Sequence, residues 1–121
     1  MSKRILAVDD QEDNRRILRD LLTNAGYEVI EAVDGLEGVA LAESERPDLI
    51  LMDIQLPGID GYEATRRIKA NPTLKAVAVI AVTSYALAGD EDKAMESGCD
   101  AYIAKPFSPR ALLAKVREFL A

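Results

Sequence analysis

Histidine is absent from this 121-residue chain, and cysteine occurs once, as Cys99. Without histidine the chain cannot build a Ser-His-Asp or Cys-His catalytic arrangement, and it cannot carry a phosphohistidine of its own. A single cysteine forms no internal disulfide, and the lack of both a second cysteine and a histidine excludes a zinc cluster. We therefore expect Cys99 to be a small buried apolar residue rather than a reactive thiol.

Long apolar stretches and positive charge are also scarce. The longest apolar run is residues 76–82, far short of the ~20 residues that span a bilayer. The first residues lack the pattern of a signal peptide. Lys and Arg number 15 against 21 Asp and Glu, a net charge of −6, which suits nucleic-acid binding poorly. The sequence predicts a cytoplasmic protein with no membrane insertion and no direct nucleic-acid contact.

What the chain does contain is an alternation of short apolar runs with helical patterns. The runs predicted as strands are residues 5–8, 27–32, 49–52, 77–82 and 101–104. The second is half polar, which favours a place at a sheet edge. Strands that alternate with helices predict an α/β, doubly wound fold, in which a parallel sheet of about five strands is covered on both faces. Residues 1–121 are expected to form one domain.

The predicted helices carry recognisable start signals. Asp34 with Glu37 and Asp60 with Glu63 have the spacing of a capping box, and Ser108 precedes Pro109 at a helix start. The segment 86–97 is helical but poor in large apolar residues, so it is expected to be the most exposed helix. The first helix is predicted to bury an apolar stripe before it ends at Gly26, formed by Ile17, Leu18, Leu21, Leu22 and Ala25.

Polar side chains follow four of the five predicted strands. They are Asp9 and Asp10, then Asp53, Thr83 and Lys105. Ligands of doubly wound folds bind at this edge of the sheet, so we expect these residues to converge. Three clustered carboxylates repel one another, and a divalent cation together with Lys105 would cancel their charge. Oxygen ligands alone favour Mg²⁺, and a carboxylate beside Mg²⁺, an ammonium and a hydroxyl suits phosphoryl transfer onto aspartate.

Other functions of this fold fit the sequence less well. A flavodoxin or Rossmann domain holds phosphate in a loop rich in Gly, Ser or Thr after the first strand. Here that position is occupied by Asp9-Asp10-Gln11-Glu12-Asp13, which repels an anion and suits a cation. The sequence also lacks the GxGxxG and P-loop patterns.

At these residues the chain resembles the receiver domains of bacterial two-component response regulators. The resemblance covers the whole chain and rests on Asp9-Asp10, Leu51-Met52-Asp53-Ile54-Gln55-Leu56-Pro57-Gly58, Gly61-Tyr62-Glu63, Thr83, Tyr102 and Lys105-Pro106. It implies a flavodoxin-like (βα)5 three-layer sandwich with strand order 2-1-3-4-5. It also implies a cis Lys105–Pro106 bond.

The resemblance further implies the role of each site residue. Asp53 would accept a phosphoryl group from a phosphohistidine of a sensor histidine kinase or histidine phosphotransfer protein. Mg²⁺ would be held by Asp10, Asp53 and the backbone carbonyl of Gln55, with Asp9 acting through water. Lys105 would pair with one phosphate oxygen and Thr83 with another, after which Tyr102 would turn inward. The face that binds a downstream protein target would contain Tyr85, Leu87, Tyr102 and Phe107.

Three alternatives remain beside a stand-alone switch that turns over no outside substrate. The chain could be a receiver fragment of a longer response regulator or hybrid kinase. A small-molecule phosphatase that works through an aspartyl-phosphate would carry a second Asp where this chain has Gln55. A receiver that only docks partners would have no reason to keep Asp9, Asp10 and Asp53 together.

Overall fold

Five strands alternate with five helices within residues 2–83 and 90–120, the parts of the chain that the computed structural model describes. The elements are β1 Arg4–Val8, α1 Glu12–Asn24, β2 Glu28–Ala32, α2 Gly35–Glu45, β3 Leu49–Asp53, α3 Gly61–Ala70, β4 Ala78–Thr83, α4 Asp90–Glu96, β5 Ala101–Ala104 and α5 Pro109–Leu120. The strands match the five apolar runs to within one or two residues. Residues 86–89, the start of the predicted fourth helix, lie outside the described residues.

The described strands form one parallel sheet in the order β2-β1-β3-β4-β5. This confirms the predicted doubly wound, flavodoxin-like topology. The half-polar strand β2 lies at an edge, as its sequence indicated. The chain moves outward from β1 to β2 and then returns past β1 to β3. The carboxyl ends of β1 and β3 therefore flank the point where strand order reverses, which is where such folds bind ligands.

Alternate strand residues build two cores, one on each face of the sheet. On one face, Leu6, Val8, Ile50 and Met52 pack with residues of α2, α3 and α4. On the other face, side chains of β1, β3 and β4 pack with Leu18 and Leu22 of α1 and with Leu112 and Val116 of α5. These layers explain why the inner strands read as continuous apolar runs: both of their faces are covered.

The predicted helix caps are present. The carboxylates of Asp34 and Asp60 accept from the backbone N–H groups of Glu37 (2.8 Å) and Glu63 (2.9 Å). The Ser108 hydroxyl accepts from the N–H of Ala111 at 3.0 Å. Each of these bonds satisfies a donor that the first helical turn would otherwise leave unpaired.

The predicted apolar stripe of α1 is wrong at Ile17, whose exposed fraction is 55%. The buried residues of α1 are Arg15, Leu18 and Leu22. These three positions are separated by three and four residues and therefore form one line along the helix. Ile17 lies one position before Leu18, which is about 100° around the helix axis. It faces away from the sheet.

Cys99 is buried, as predicted, with an exposed fraction of 3%. Its sulfur lies 3.8 Å from the Thr65 hydroxyl and 3.7 Å from the Ser97 hydroxyl. Burial raises the pKa of the Cys99 thiol, which keeps it protonated and unreactive. None of the described helices has both the length and the apolar character needed to cross a bilayer.

Candidate functional site

Three carboxylates meet at the carboxyl edge of the sheet. Asp9, Asp10 and Asp53 each offer an oxygen within 4.8 Å of the other two. Val8 and Met52 are paired neighbours in β1 and β3, so the residues that follow them emerge side by side. The exposed fraction is 2% for Asp9 and 6% for Asp53, whereas Asp10 is exposed. The structure thus brings together the acidic residues that the strand ends predicted.

Asp9 and Asp53 are held in the same way. In each, Oδ1 accepts from the backbone N–H two residues along the chain, Gln11 (2.9 Å) or Gln55 (3.0 Å). Each Oδ2 faces the Lys105 ammonium, at 3.1 Å from Asp9 and 3.4 Å from Asp53. One ammonium therefore bridges two buried carboxylates, and both carboxylates have a fixed orientation.

Thr83 and Lys105 complete the site from β4 and the end of β5. Thr83 is buried and directly follows Val82, the residue of β4 that pairs with Asp53. Its backbone carbonyl accepts from the Lys105 N–H at 2.7 Å. The Lys105–Pro106 peptide is cis, as the resemblance implied. Asp53 therefore lies beside the acidic pair that follows β1 and beside Thr83 at the end of β4, and the Lys105 ammonium bridges its carboxylate to that of Asp9.

The charge balance of the site is negative. Burial raises the pKa of Asp53 above its ordinary value of 3.8, and the neighbouring Asp9 acts in the same direction. Lys105 and the N–H of Gln55 act in the opposite direction without cancelling the rise. One ammonium leaves two of the three negative charges uncompensated. A divalent cation fits this deficit, and an all-oxygen donor set with neither His nor Cys fits Mg²⁺.

Replacing Asp53 by Asn should raise the Tm of the metal-free protein near neutral pH. The amide oxygen can still accept from Gln55, while a poorly solvated charge is removed. Because the folded-state pKa is raised, this charge destabilises the wild type above that pKa. The cost shrinks as pH falls through the raised pKa and is gone below 3.8. A gain of about 1 kcal/mol corresponds to about 4 °C in a chain of this size.

Thermal melts in the presence of a chelator, taken between about pH 7 and pH 3, measure this difference. The Asp53→Asn advantage should vanish on acidification. Asp10→Asn should give a smaller rise, because Asp10 is exposed and water already solvates its charge. An Asp53→Asn protein that melts lower than wild type at neutral pH would argue against a strained acidic pocket.

The predicted partner face is only partly within the described residues. Tyr102 is half-buried against the core formed with α2, α3 and α4, whereas Phe107 packs against the core on the opposite face of the sheet. Tyr85 and Leu87 lie outside the described residues. The partner face therefore stays a prediction.

A groove beside the acidic cluster was missed by the sequence interpretation. It has a volume of about 460 Å³ and is lined by Asp9, Asn14, Ile17, Leu18, Lys105, Pro106 and Phe107. Ile17 was assigned to the buried stripe, but its side chain instead contributes apolar surface to this groove. The apolar spacing gave no signal for this, because the buried line that excludes Ile17 includes a charged residue, Arg15.

Comparisons with known proteins agree with this geometry. The family model of the response regulator receiver domain matches residues 5–117. The polar-differentiation response regulator DivK of Brucella anthropi is 44% identical over 120 residues, which cover 99% of this chain and 98% of that protein.

Solved structures give the same result. The receiver domain of a sensor histidine kinase from Pseudomonas aeruginosa, solved with a magnesium ion coordinated in its active site cleft, has a TM-score of 0.92 and 38% identity, covering 99% of this chain and 98% of that one. The chemotaxis protein CheY4 of Vibrio cholerae has a TM-score of 0.93 and 28% identity, covering 98% and 99%. Phosphoryl transfer and Mg²⁺ binding are typical of these signalling domains. The chain belongs to the response regulator receiver domain family of two-component signalling.

Proposed function

We propose that residues 1–121 form one receiver domain in which Asp53 accepts a phosphoryl group from a phosphohistidine. The donor is a sensor histidine kinase or a histidine phosphotransfer protein. The observation that carries this proposal is the central place of Asp53 in the site. Asp9 and Asp10, which suit a cation, lie beside Asp53, and Thr83 follows the β4 residue that pairs with it. The Lys105 ammonium bridges the Asp53 carboxylate to that of Asp9.

The transfer needs little covalent chemistry from the protein. A carboxylate oxygen of Asp53 attacks phosphorus, the bond from phosphorus to the donor's imidazole nitrogen breaks, and the imidazole leaves with the electron pair. Lys105 neutralises one phosphoryl oxygen, and the Thr83 hydroxyl donates to another. Asp10, Asp53 and the backbone carbonyl of Gln55, with Asp9 acting through water, would hold Mg²⁺, which would supply further positive charge to the phosphoryl oxygens.

Phosphorylation then changes the face that binds a downstream protein. The new phosphoryl oxygens recruit the Thr83 hydroxyl, and Tyr102, half-buried at the neighbouring strand, turns inward behind it. The charge added at Asp53 thereby shifts the equilibrium between two positions of the Thr83 and Tyr102 side chains. The partner face of this proposal is Tyr85, Leu87, Tyr102 and Phe107.

The groove beside the cluster suits the phosphoryl donor. It includes Asp9 and Lys105, and the exposed Ile17 side chain gives it an apolar wall. A donor that packs there places its phosphohistidine next to Asp53. On this proposal the protein catalyses only its own phosphorylation and dephosphorylation. The buried, unpaired Cys99 suits the reducing cytoplasm that we propose as its location.

Incubation with acetyl phosphate and Mg²⁺, followed by intact-mass measurement, tests this function. The wild type should gain one phosphoryl group, and prior chelation of the metal should prevent the gain. Asp53→Asn should gain none, whereas Asp20→Asn, which removes an exposed carboxylate on α1, should behave as wild type. Equal labelling of Asp53→Asn and wild type would overturn the proposal.

A further inference from the structure

Arg15 is a buried charged residue that the chemistry proposed above does not use. Its exposed fraction is 8%, and its guanidinium has partners in three segments of the chain: the loop after β1, the first turn of α1 and strand β2. Nη1 donates to the backbone carbonyl of Asp9 at 2.6 Å, and Nη2 donates to the carboxylate of Glu12. Nε lies 3.4 Å from the carboxylate of Glu31 on β2. A buried guanidinium with this set of partners is held in one orientation.

The carbonyl that Arg15 contacts belongs to the peptide unit joining Asp9 to Asp10. Asp9 is already fixed elsewhere: its N–H donates to the carbonyl of Ala32 at 3.1 Å, and its carboxylate contacts Gln11 and Lys105. The orientation of the next peptide unit decides the direction in which Asp10 projects its side chain. Among the described residues, Arg15 is the one whose side chain donates to that peptide unit.

Asp10 has weak support of its own. Its carboxylate is exposed, and its hydrogen bond within the described residues is a long one, 3.5 Å, from the side-chain amide of Gln11. Because the Asp10 side chain is held so loosely, its position in the acidic cluster is set mainly by the Asp10 backbone. The backbone of Asp10 is tied through Arg15 to Glu31, which also pairs with Arg19 at 2.8 Å.

We infer that Arg15 is a positioning residue for the cation site: it holds the Asp9–Asp10 peptide so that the Asp10 carboxylate stays within reach of Asp9 and Asp53. The inference rests on the proposed function, in which this cluster binds Mg²⁺. Partners behind a metal ligand commonly change metal affinity by about 10- to 100-fold when they are removed. Arg15 touches neither the cation nor the phosphoryl group, so its effect passes through Asp10.

Calorimetric titration of the unphosphorylated protein with Mg²⁺ tests the inference. Arg15→Met should weaken Mg²⁺ binding by about tenfold. Arg19→Met is the matched control, because Arg19 is on the same helix and shares the Glu31 partner, but its side chain is 39% exposed. Loss of this partly exposed pair, which does not contact the Asp9–Asp10 peptide, should change Mg²⁺ affinity by less than about twofold.

A second readout separates positioning from a general loss of stability. With acetyl phosphate as donor, the Mg²⁺ concentration for half-maximal phosphorylation should rise about tenfold in Arg15→Met. The maximal rate at saturating Mg²⁺ should stay within about twofold of wild type, because the reacting groups are intact. If Arg15→Met does not fold, Arg15→Lys replaces it in both measurements. Arg15→Lys should still weaken Mg²⁺ binding, because one ammonium cannot contact Asp9, Glu12 and Glu31 at the same time.

The outcomes distinguish this inference from the function on which it rests. Wild-type Mg²⁺ affinity in Arg15→Met, or in Arg15→Lys where the former is unfolded, overturns the positioning role and leaves the function standing. Equal losses in Arg15→Met and Arg19→Met also overturn it, because the effect would then be one of charge. If the wild type binds no Mg²⁺, the proposed function itself is overturned.

Discussion

Replacing Lys105 by Met is expected to slow phosphorylation by acetyl phosphate by about 100- to 1000-fold at saturating Mg²⁺, the usual loss when a positioned donor to a reacting oxyanion is removed. The Lys105 ammonium lies within 3.4 Å of both Asp9 and Asp53. It is therefore already in place to neutralise a phosphoryl oxygen as Asp53 attacks. Time courses of the intact mass measure the rate.

The same substitution should destabilise the metal-free protein. It leaves two buried carboxylates facing each other without a cation, and removal of one member of a buried charge pair costs about 3 kcal/mol or more. Mg²⁺ should restore much of this loss, because it places positive charge beside the same carboxylates. Urea unfolding with and without Mg²⁺ measures both effects.

Lys69→Met is the matched control for Lys105→Met. The two lysine side chains are similarly shielded, with exposed fractions of 16% and 18%. The Lys69 ammonium donates to the Val77 carbonyl (2.6 Å) and to Asp100 (3.0 Å) at the amino ends of β4 and β5, the edge opposite the site. Lys69→Met should therefore lose stability while keeping the wild-type phosphorylation rate. Similar rate losses in both variants would mean that Lys105 acts only through stability.

Gly61→Ala should be among the most destabilising single-methyl additions in the described chain, at about 3 kcal/mol. An added Cβ would lie 2.3 Å from the Asp53 carbonyl oxygen and 2.7 Å from the Cα of Ile54. Both are backbone atoms at the end of β3, and the Gly61 N–H is tied to the Ile54 carbonyl at 2.9 Å. Space for the methyl group requires the start of α3 and the segment that carries Asp53 to move apart.

Gly26→Ala provides the comparison for Gly61→Ala. Gly26 has a φ of +96°, but a Cβ there meets nothing within 4 Å, so its cost is backbone strain alone, about 1–2 kcal/mol. Urea unfolding should give a lower free energy of unfolding for Gly61→Ala than for Gly26→Ala. Phosphorylation should be slower than in the wild type only for Gly61→Ala. A Gly61→Ala protein as stable as wild type would mean that the helix start can move freely away from Asp53.

The fold was predictable because its signals are local. Continuous apolar runs mark strands covered on both faces, and the caps at Asp34, Asp60 and Ser108 use side chains only three residues from the donors they satisfy. The exposure of Ile17 was not predictable from spacing alone. Arg15 takes the buried position in that turn because its guanidinium contacts the Asp9 carbonyl just after β1 and Glu31 on β2. A pattern of apolar residues does not reveal a buried charge.

The sequence predicts which residues form the site, but it does not predict the contacts that hold those residues in position. Polar residues at the ends of neighbouring strands must lie close together, and the sequence therefore predicts that Asp9, Asp10 and Asp53 meet. The bridge from Lys105 to two carboxylates depends on how β5 lies beside β4, and the contact of Arg15 with Glu31 depends on how α1 lies against β2. Such contacts join residues far apart in the chain, so no local pattern reports them.

The central claim is that Asp53 carries the phosphoryl group, and mapping the modified residue tests it most directly. After phosphorylation with acetyl phosphate and Mg²⁺, borohydride reduction converts an aspartyl-phosphate to homoserine, which tandem mass spectrometry of the peptides then locates. The account predicts homoserine at position 53 and an unchanged aspartate at positions 9 and 10. Homoserine at position 9 or 10, or only outside the cluster, would contradict it.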